Sequence, residues 1–465
     1  MRRHKQYWLL CMAFLCFAIA FFISFSENRT RTIIFTSYVK QDKSSRPDEQ
    51  SNKQMISPAM QFKTDGVTQE MVAGTNLSTE RADTEHSTGD LESRFIFRKE
   101  LMQKACVKHK RQLRYPRCET NNAGLNLKYV NSSSLLYCAI EKTGSTLWKR
   151  ILHVIGGWGN DSNPTAIKSE DADTVDGGFE TLKNTTVKER RELFENSTSI
   201  MFVRDPYTRL FSAWLDKLYS PNHYYWTKLG PQIVKRLRVS NNEWESDPVS
   251  CASDISFNEF INYTLREISS YSCVDGHFSP NYNHCLPCLL SHNYVGKYET
   301  FKEDTRFLLD KLNLSQKVTF DNFEKDGAWD AIRDSTEFLF SQKEKILECN
   351  VTFFCALFKV WNRLQSRGIL SKNIDFPFEN EDDVNNVTKA DVIRIVSYAN
   401  RQSDRSETKG NRMEALQQAY QNLSLKLRER LVRTFKIDFD MFGYDKYPKY
   451  LNQTRQSTFR YFKEC

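Results

Sequence analysis

The sequence predicts an α/β protein in which a parallel sheet is flanked by helices, set behind an N-terminal transmembrane helix and a flexible stem. Three observations carry that expectation: two segments in which a short β-type run turns directly into an amphipathic helix, an uncharged apolar run near the N-terminus, and a polar, aperiodic stretch after it. Of 465 residues, 40% are hydrophobic and 13% aromatic, enough to build a core and to exclude wholesale disorder. Lys and Arg exceed Asp and Glu by 66 − 58 = +8, and the charges are spread rather than blocked. That surplus suits an anionic ligand such as a nucleotide, a phosphate or an acidic polysaccharide, and is too diffuse to indicate nucleic acid.

Arg2, Arg3, His4 and Lys5 precede an uncharged run over 7–25, which is long enough to span a bilayer as a helix and is oriented by the basic cluster with residues 1–6 in the cytoplasm. The run is long for a cleaved signal peptide, and no small-x-small site follows it, so it reads as an uncleaved signal-anchor of a single-pass type II protein. Residues 26–94 are rich in Ser, Thr, Gln and charged residues, and read as a stem. Twelve Asn-x-Ser/Thr sequons, among them Asn131, Asn196, Asn313 and Asn422, and ten of 12 cysteines beyond the anchor suggest a lumenal body in an oxidising compartment. An even cysteine count permits full pairing without giving the connectivity. Cys285 and Cys288 form half of a zinc site, but no second pair of matching spacing follows, which favours disulfides. Cys349 and Cys355 could bridge locally, and Cys465 could pair within or between chains. Residues 95–450 read as one large domain without internal repeats, and 451–465 as a tail.

In the first strand–turn–helix segment, Leu135 to Ile155, the run LLYCAI leads through EKTGST into LWKRILHVI. Trp148, Ile151, Leu152 and Ile155 share one helical stripe, whereas Thr146, Lys149, Arg150 and His153 share the opposite, cationic one. Ser145 or Thr146 can cap the helix. In the second, Ser199 to Tyr219, SIMFV leads through RDP into a helix with Tyr207, Leu210, Phe211, Trp214 and Leu218 on the buried stripe. Asp205, Thr208, Arg209 and Ser212 project from the other side; Asp205 is placed to cap, with Pro206 in the first turn. Such units deliver a turn and the free N–H groups of a helix start to an anion at the edge of a parallel sheet. The Walker pattern GxxxxGK[ST] is absent. Each segment also has a plainer reading, as an ordinary βα turn with a surface lysine and as a capped helix with Arg204 in a structural ion pair.

Taken together, the two segments resemble the phosphosulfate and 3′-phosphate motifs of sulfotransferases, closest to the Golgi carbohydrate family of chondroitin, dermatan and N-acetylgalactosamine 4-O-sulfotransferases. Tyr137, Cys138, Lys142, Gly144, Ser145, Thr146, Trp148, Lys149 and Arg150 match the first motif. Arg204, Asp205, Pro206, Tyr207, Arg209, Leu210, Ser212 and Ala213 match the second. Three further blocks agree: YWTKLGPQIVKRLR from Tyr225, HFSPNYNHCLPC from His277 with VGKYET from Val295, and FKIDFDMFGY from Phe435. Glu141, Ser145 and Leu147 depart from the family's usual Pro, Cys and Asn, and the stretch 318–414 aligns with none of its blocks.

The resemblance implies a P-loop-like sulfotransferase fold and transfer of a sulfuryl group from 3′-phosphoadenosine 5′-phosphosulfate to a carbohydrate hydroxyl, on a glycosaminoglycan or a glycoprotein glycan, without metal or nucleic acid. Glu141, Lys142, Thr143, Gly144, Ser145, Thr146 and Leu147 would form the phosphosulfate loop, with Lys142 also catalytic. Arg204, Asp205, Pro206, Arg209 and Ser212 would form the 3′-phosphate side. The general base would be His277, with His153 and Glu141 as alternatives; Glu141 could instead pair with Lys142. The basic run Lys228, Lys235, Arg236 and Arg238 could dock an anionic glycan. Phe307, Leu308 and Leu312 read as core. Two other readings compete with the enzyme: a catalytically silent glycan-binding glycoprotein on the same fold, and a nucleotide kinase, which the missing Walker loop disfavours.

Overall fold

Five short strands, β1 (Leu127–Val130), β2 (Leu135–Cys138), β3 (Glu180–Thr181), β4 (Thr198–Val203) and β5 (Tyr294–Lys297), form one sheet in the order β3-β1-β2-β4-β5. The computed structural model describes residues 88–113, 126–159, 161–174, 177–183, 185–238, 250–320, 322–451 and 458–465. β2, β4 and β5 are parallel neighbours, as the strand–turn–helix segments predict, whereas β1 and β3 add an antiparallel edge. The sheet is therefore mixed rather than wholly parallel. A four-residue turn-like connection between β1 and β2 leaves room only for an antiparallel hairpin, since a parallel pair needs a long crossover.

Side chains alternate across the sheet with the period of two that extended backbone imposes. Leu135, Tyr137, Ile200 and Phe202 join one buried cluster with Trp148 and Ile151, whereas Leu136, Cys138, Met201 and Val203 join the opposite one with Met102 and Val295. Both faces are thus covered, which is why these strands read as unbroken apolar runs.

Eight helices bear on the site: α1 (Thr88–Lys108), α2 (Ser145–Ile155), α3 (Pro206–Trp214), α4 (Phe301–Lys311), α5 (Phe323–Ser341), α6 (Phe353–Ser366), α7 (Lys389–Gln402) and α8 (Arg405–Gln421). The stem boundary expected at 94 falls inside α1, whose Phe95, Met102 and Ala105 are buried in the core. Nor is 451–465 a loose tail throughout: Tyr461 is fully buried and Cys465 is bonded to Cys355. The anchor expected over 7–25 lies outside the described residues, among which no helix is long and apolar enough to cross a membrane.

The stretch that matches no motif, 318–414, is largely helical, and its Ile332, Leu339, Phe353, Trp361, Leu364 and Val396 build a second core together with Trp226. Disulfides fasten the fold across long sequence separations: Cys106–Cys288, Cys138–Cys285, Cys251–Cys349 and Cys355–Cys465. Cys285 and Cys288 therefore do not pair with each other and are not free to hold zinc, the local Cys349–Cys355 bridge does not form, and Cys465 pairs within the chain.

Candidate active site

Three adjacent parallel strands end side by side, and each delivers one residue to the same point. Cys138 of β2 lies opposite Met201 of β4, and Val203 opposite Lys297 of β5. The turns that follow bring out Lys142, Arg204 and Tyr298. They line a cavity of about 940 Å³, together with Glu141, Gly144, Ser145, Thr146, Leu147, Ser212 and His277. That volume lies at the upper end of the roughly 300–1,000 Å³ common for ligand pockets.

The first turn is shaped by backbone. Lys142 and Gly144 both have positive φ, +67° and +88°, a conformation a lysine holds only where its surroundings enforce it. A Cβ on Gly144 would lie 2.4 Å from the ring of Phe301, so only glycine fits beneath that ring. Gly144, not Ser145 or Thr146, is the N-cap of α2, and it makes no side-chain cap. The N–H groups of the first turn are left to whatever occupies the cavity. Thr143 is fully buried and spends its hydroxyl on the Ile140 carbonyl, so it supports the loop from behind.

Lys142 donates to Asp216 at 2.8 Å, and Asp216 also accepts from Arg363 at 2.6 Å. Its partner is thus Asp216, not Glu141. Burial lowers the Lys142 ammonium to about 8; Asp216 opposes the shift, and Lys217 and Arg363 reinforce it. Asp216 follows α3 on a π turn, Leu215–Tyr219, one stripe on from Thr208 and Ser212. π turns of this kind recur at functional sites.

The second turn is held by side chains. Asp205 accepts from the Thr208 N–H at 2.9 Å and caps α3, with Pro206 at the first position, as the sequence predicts. Burial raises the Asp205 carboxyl to about 6. Arg204 donates to the Lys142 carbonyl at 3.1 Å and to Thr208 Oγ1 at 3.1 Å, and lies over the Tyr298 ring. Arg209 faces away from the cavity: it donates to the carbonyls of Glu141, Ser279 and Gly276, and ties the two turns to the 276–279 loop. Its expected place on the 3′-phosphate side is therefore taken by a structural role. Asp205 and Pro206 likewise shape α3 and do not line the cavity.

The expected cationic stripe of α2 is not a solvent face. Arg150 is fully buried against Asp330 of α5, Lys149 donates to Asp173, and His153 packs between Trp158 and Phe179. His153 accepts from the Gly178 N–H and is absent from the cavity wall, which removes it from the candidate bases. Glu141 does reach the wall. His277 reaches it too, with Nδ1 held 2.7 Å from Asp275 and 3.1 Å from the Tyr225 hydroxyl. Burial would raise the Asp275 carboxyl, but the hydrogen bond and charge of His277 outweigh it and hold it at about 2. The basic run lies elsewhere, with Arg238 paired to Glu259 and Asp254, and Arg236 to Glu267.

Sequence reasoning missed Asp216, Tyr298, Arg363, Arg367 and Arg412, all on the wall. Asp216 had a legible signal, since it continues the Thr208–Ser212 stripe by four residues, and Tyr298 stood inside the matched VGKYET block. The three arginines had none. Among the described residues no group of three or more His, Cys, Asp or Glu side chains is arranged to hold a metal.

Residues 126–352 match the model of the sulfotransferase family. Carbohydrate sulfotransferase 8 of Homo sapiens is 28% identical over 227 residues, 49% of this chain and 52% of that protein. Carbohydrate sulfotransferase 9 of Homo sapiens is 32% identical over 190 residues, 41% of each chain. Carbohydrate sulfotransferase 11 of Mus musculus is 27% identical over 230 residues, 49% of this chain and 64% of that protein. The chain thus spans about half the length of the curated relatives it matches, and no solved structure matches it significantly. Residues 126–352, with both strand–turn–helix turns and the His277 loop inside them, thus match the sulfotransferase family and are similar to the carbohydrate sulfotransferases.

Proposed function

We propose that the chain transfers a sulfuryl group from 3′-phosphoadenosine 5′-phosphosulfate to a hydroxyl of a carbohydrate, probed best with N-acetylgalactosamine-containing glycans, in the Golgi lumen. The observation that carries this reading is the convergence of Lys142, the uncapped start of α2, Arg204 and Ser212 on one cavity. When bound, the donor supplies an activated sulfuryl group on a phosphate leaving group. The cavity suits it chemically: a loop under Phe301 that admits only glycine, free N–H groups and several cations are what a nucleotide with several negative charges requires.

The chain's own residues then divide the work. Lys142 stabilises negative charge where it grows on the leaving oxygen. The N–H groups of 145–147 and the hydroxyls of Ser145 and Thr146 hold the phosphosulfate in place, and Arg204 with Ser212 holds the 3′-phosphate. His277 takes the acceptor's proton at Nε2, while Asp275 on Nδ1 fixes the ring and its tautomer. The lumenal setting is supported by the disulfides and by the exposure of sequon residues Asn131, Asn196, Asn313, Asn350, Asn386 and Asn422.

The test is transfer of labelled sulfate by the full chain to a panel of chondroitin, dermatan, heparan and N-glycan acceptors. Labelling of at least one is expected, slowed about a hundredfold or more in His277→Ala. No transfer to any acceptor, together with no binding of adenosine 3′,5′-bisphosphate, would leave the silent glycan-binding reading in its place.

A further inference from the structure

Several buried or half-buried arginines of this protein are matched by carboxylates, while Arg209 is met by backbone carbonyls. Arg98 pairs with Asp304, Arg150 with Asp330, and Arg363 with Asp216. Around Tyr298 three arginines gather without such a partner: Arg204 is buried, whereas Arg367 and Arg412 are exposed on the cavity wall. Arg204 lies 4.2 Å and Arg412 5.3 Å from the ring centroid, and Arg367 stands one helical turn beyond Arg363, on the same cavity wall. Among the described residues none of these three guanidiniums makes an ion pair.

The three guanidiniums repel one another, while Glu299 and Asp205 act the other way on Arg204 and Asp216 on Arg367, and the neighbouring groups register it. Burial, with Arg412 beside it, lowers Arg204 to about 10. Arg412 foremost, then Arg204 and Arg367, draws the Tyr298 phenol down to about 8 against the effect of burial. Such a set is relieved by a bound anion, and more by a dianion than by a monoanion. A carboxylate or a sulfate ester brings one charge; a phosphate monoester brings about 1.5 to 2 at neutral pH and three acceptor oxygens.

We propose that Arg367 and Arg412, both beyond residue 352, complete with Arg204 a pocket for a phosphate monoester dianion, the 3′-phosphate of the donor. This deepens, and rests on, the donor reading above. The C-terminal helices α6 and α8 are then part of the donor site, and they set the preference for a 3′-phosphorylated nucleotide.

The experiment is equilibrium binding of adenosine 3′,5′-bisphosphate and of adenosine 5′-monophosphate to the full chain, wild type and with Arg367→Gln or Arg412→Gln. Each variant is expected to lose about tenfold in affinity for the bisphosphate, the scale of a charge-assisted hydrogen bond, with binding of the monophosphate unchanged. The ligand-free melting temperature of the variants should hold or rise, because one of three repelling charges has gone. Equal losses for both nucleotides, no loss for either, or a lowered melting temperature overturns the assignment. So does a rise in acceptor KM with donor KM unchanged, which would give these arginines to an acidic group on the glycan. If the wild type binds the bisphosphate tenfold or more tighter than the monophosphate while the variants do not lose that preference, the arginine assignment alone fails. If the wild type binds neither nucleotide, the donor reading fails first.

Discussion

The two strand–turn–helix units look alike in sequence and solve opposite problems. In the first, the start of α2 carries no side-chain cap, and its N–H groups are open to the cavity. In the second, Asp205 occupies the start of α3 and satisfies it from within. A helix start already holding a carboxylate has no use for a ligand anion, so the second unit can contribute only through side chains, Arg204 and Ser212. One unit binds with backbone, the other with a guanidinium and a hydroxyl. The same fold element therefore does not predict the same chemistry; the residue at the cap decides it.

That contrast can be broken at four places. Arg204→Ala removes the main side-chain contact of the second unit, and should weaken binding of adenosine 3′,5′-bisphosphate about ten- to hundredfold by calorimetry. An unchanged affinity would return Arg204 to a structural role. Gly144→Ala forces a methyl against Phe301 at positive φ, and should cost about tenfold in donor affinity while Asp205→Ala costs none. In a third test pH is the variable: Lys142, lowered to about 8 by burial, is charged below that value and neutral above it. Binding of the 5′-phosphate end should therefore weaken as pH rises through about 8, and Lys142→Arg should remove that limb. A flat profile in the wild type would show that the ammonium takes no part. The smallest effect is expected from Asp205→Ala, about 1 kcal/mol of stability by thermal or denaturant melting, the usual cost of a lost cap.

Much of this architecture was legible in the residues. The apolar runs of β2 and β4, the buried stripes of α2 and α3, and the cap and proline of the second turn follow from local periodicity and cap chemistry, which tertiary packing did not override. The errors have physical causes as well. The stripe of Thr146, Lys149, Arg150 and His153 looked solvent-facing because α2 alone buries only one side; α5 packs on the other and buries Arg150 against Asp330. Arg209 looked like a ligand residue because a motif lists side chains, not the carbonyls they meet. The cysteine pairs join residues 98 to 182 apart in sequence, distances over which no local pattern speaks. Arg363, Arg367 and Arg412 were invisible for the same reason: they come from helices with no recognisable motif, and only the tertiary structure brings them to the end of β5.

The measurement that bears most directly on the whole account is the rate of labelled sulfate transfer by Lys142→Ala against the wild-type full chain, with expression level and melting temperature followed in parallel. Loss of an ammonium placed where charge develops should slow transfer at least about a hundredfold while the protein folds normally. Turnover at the wild-type rate in that variant would contradict it.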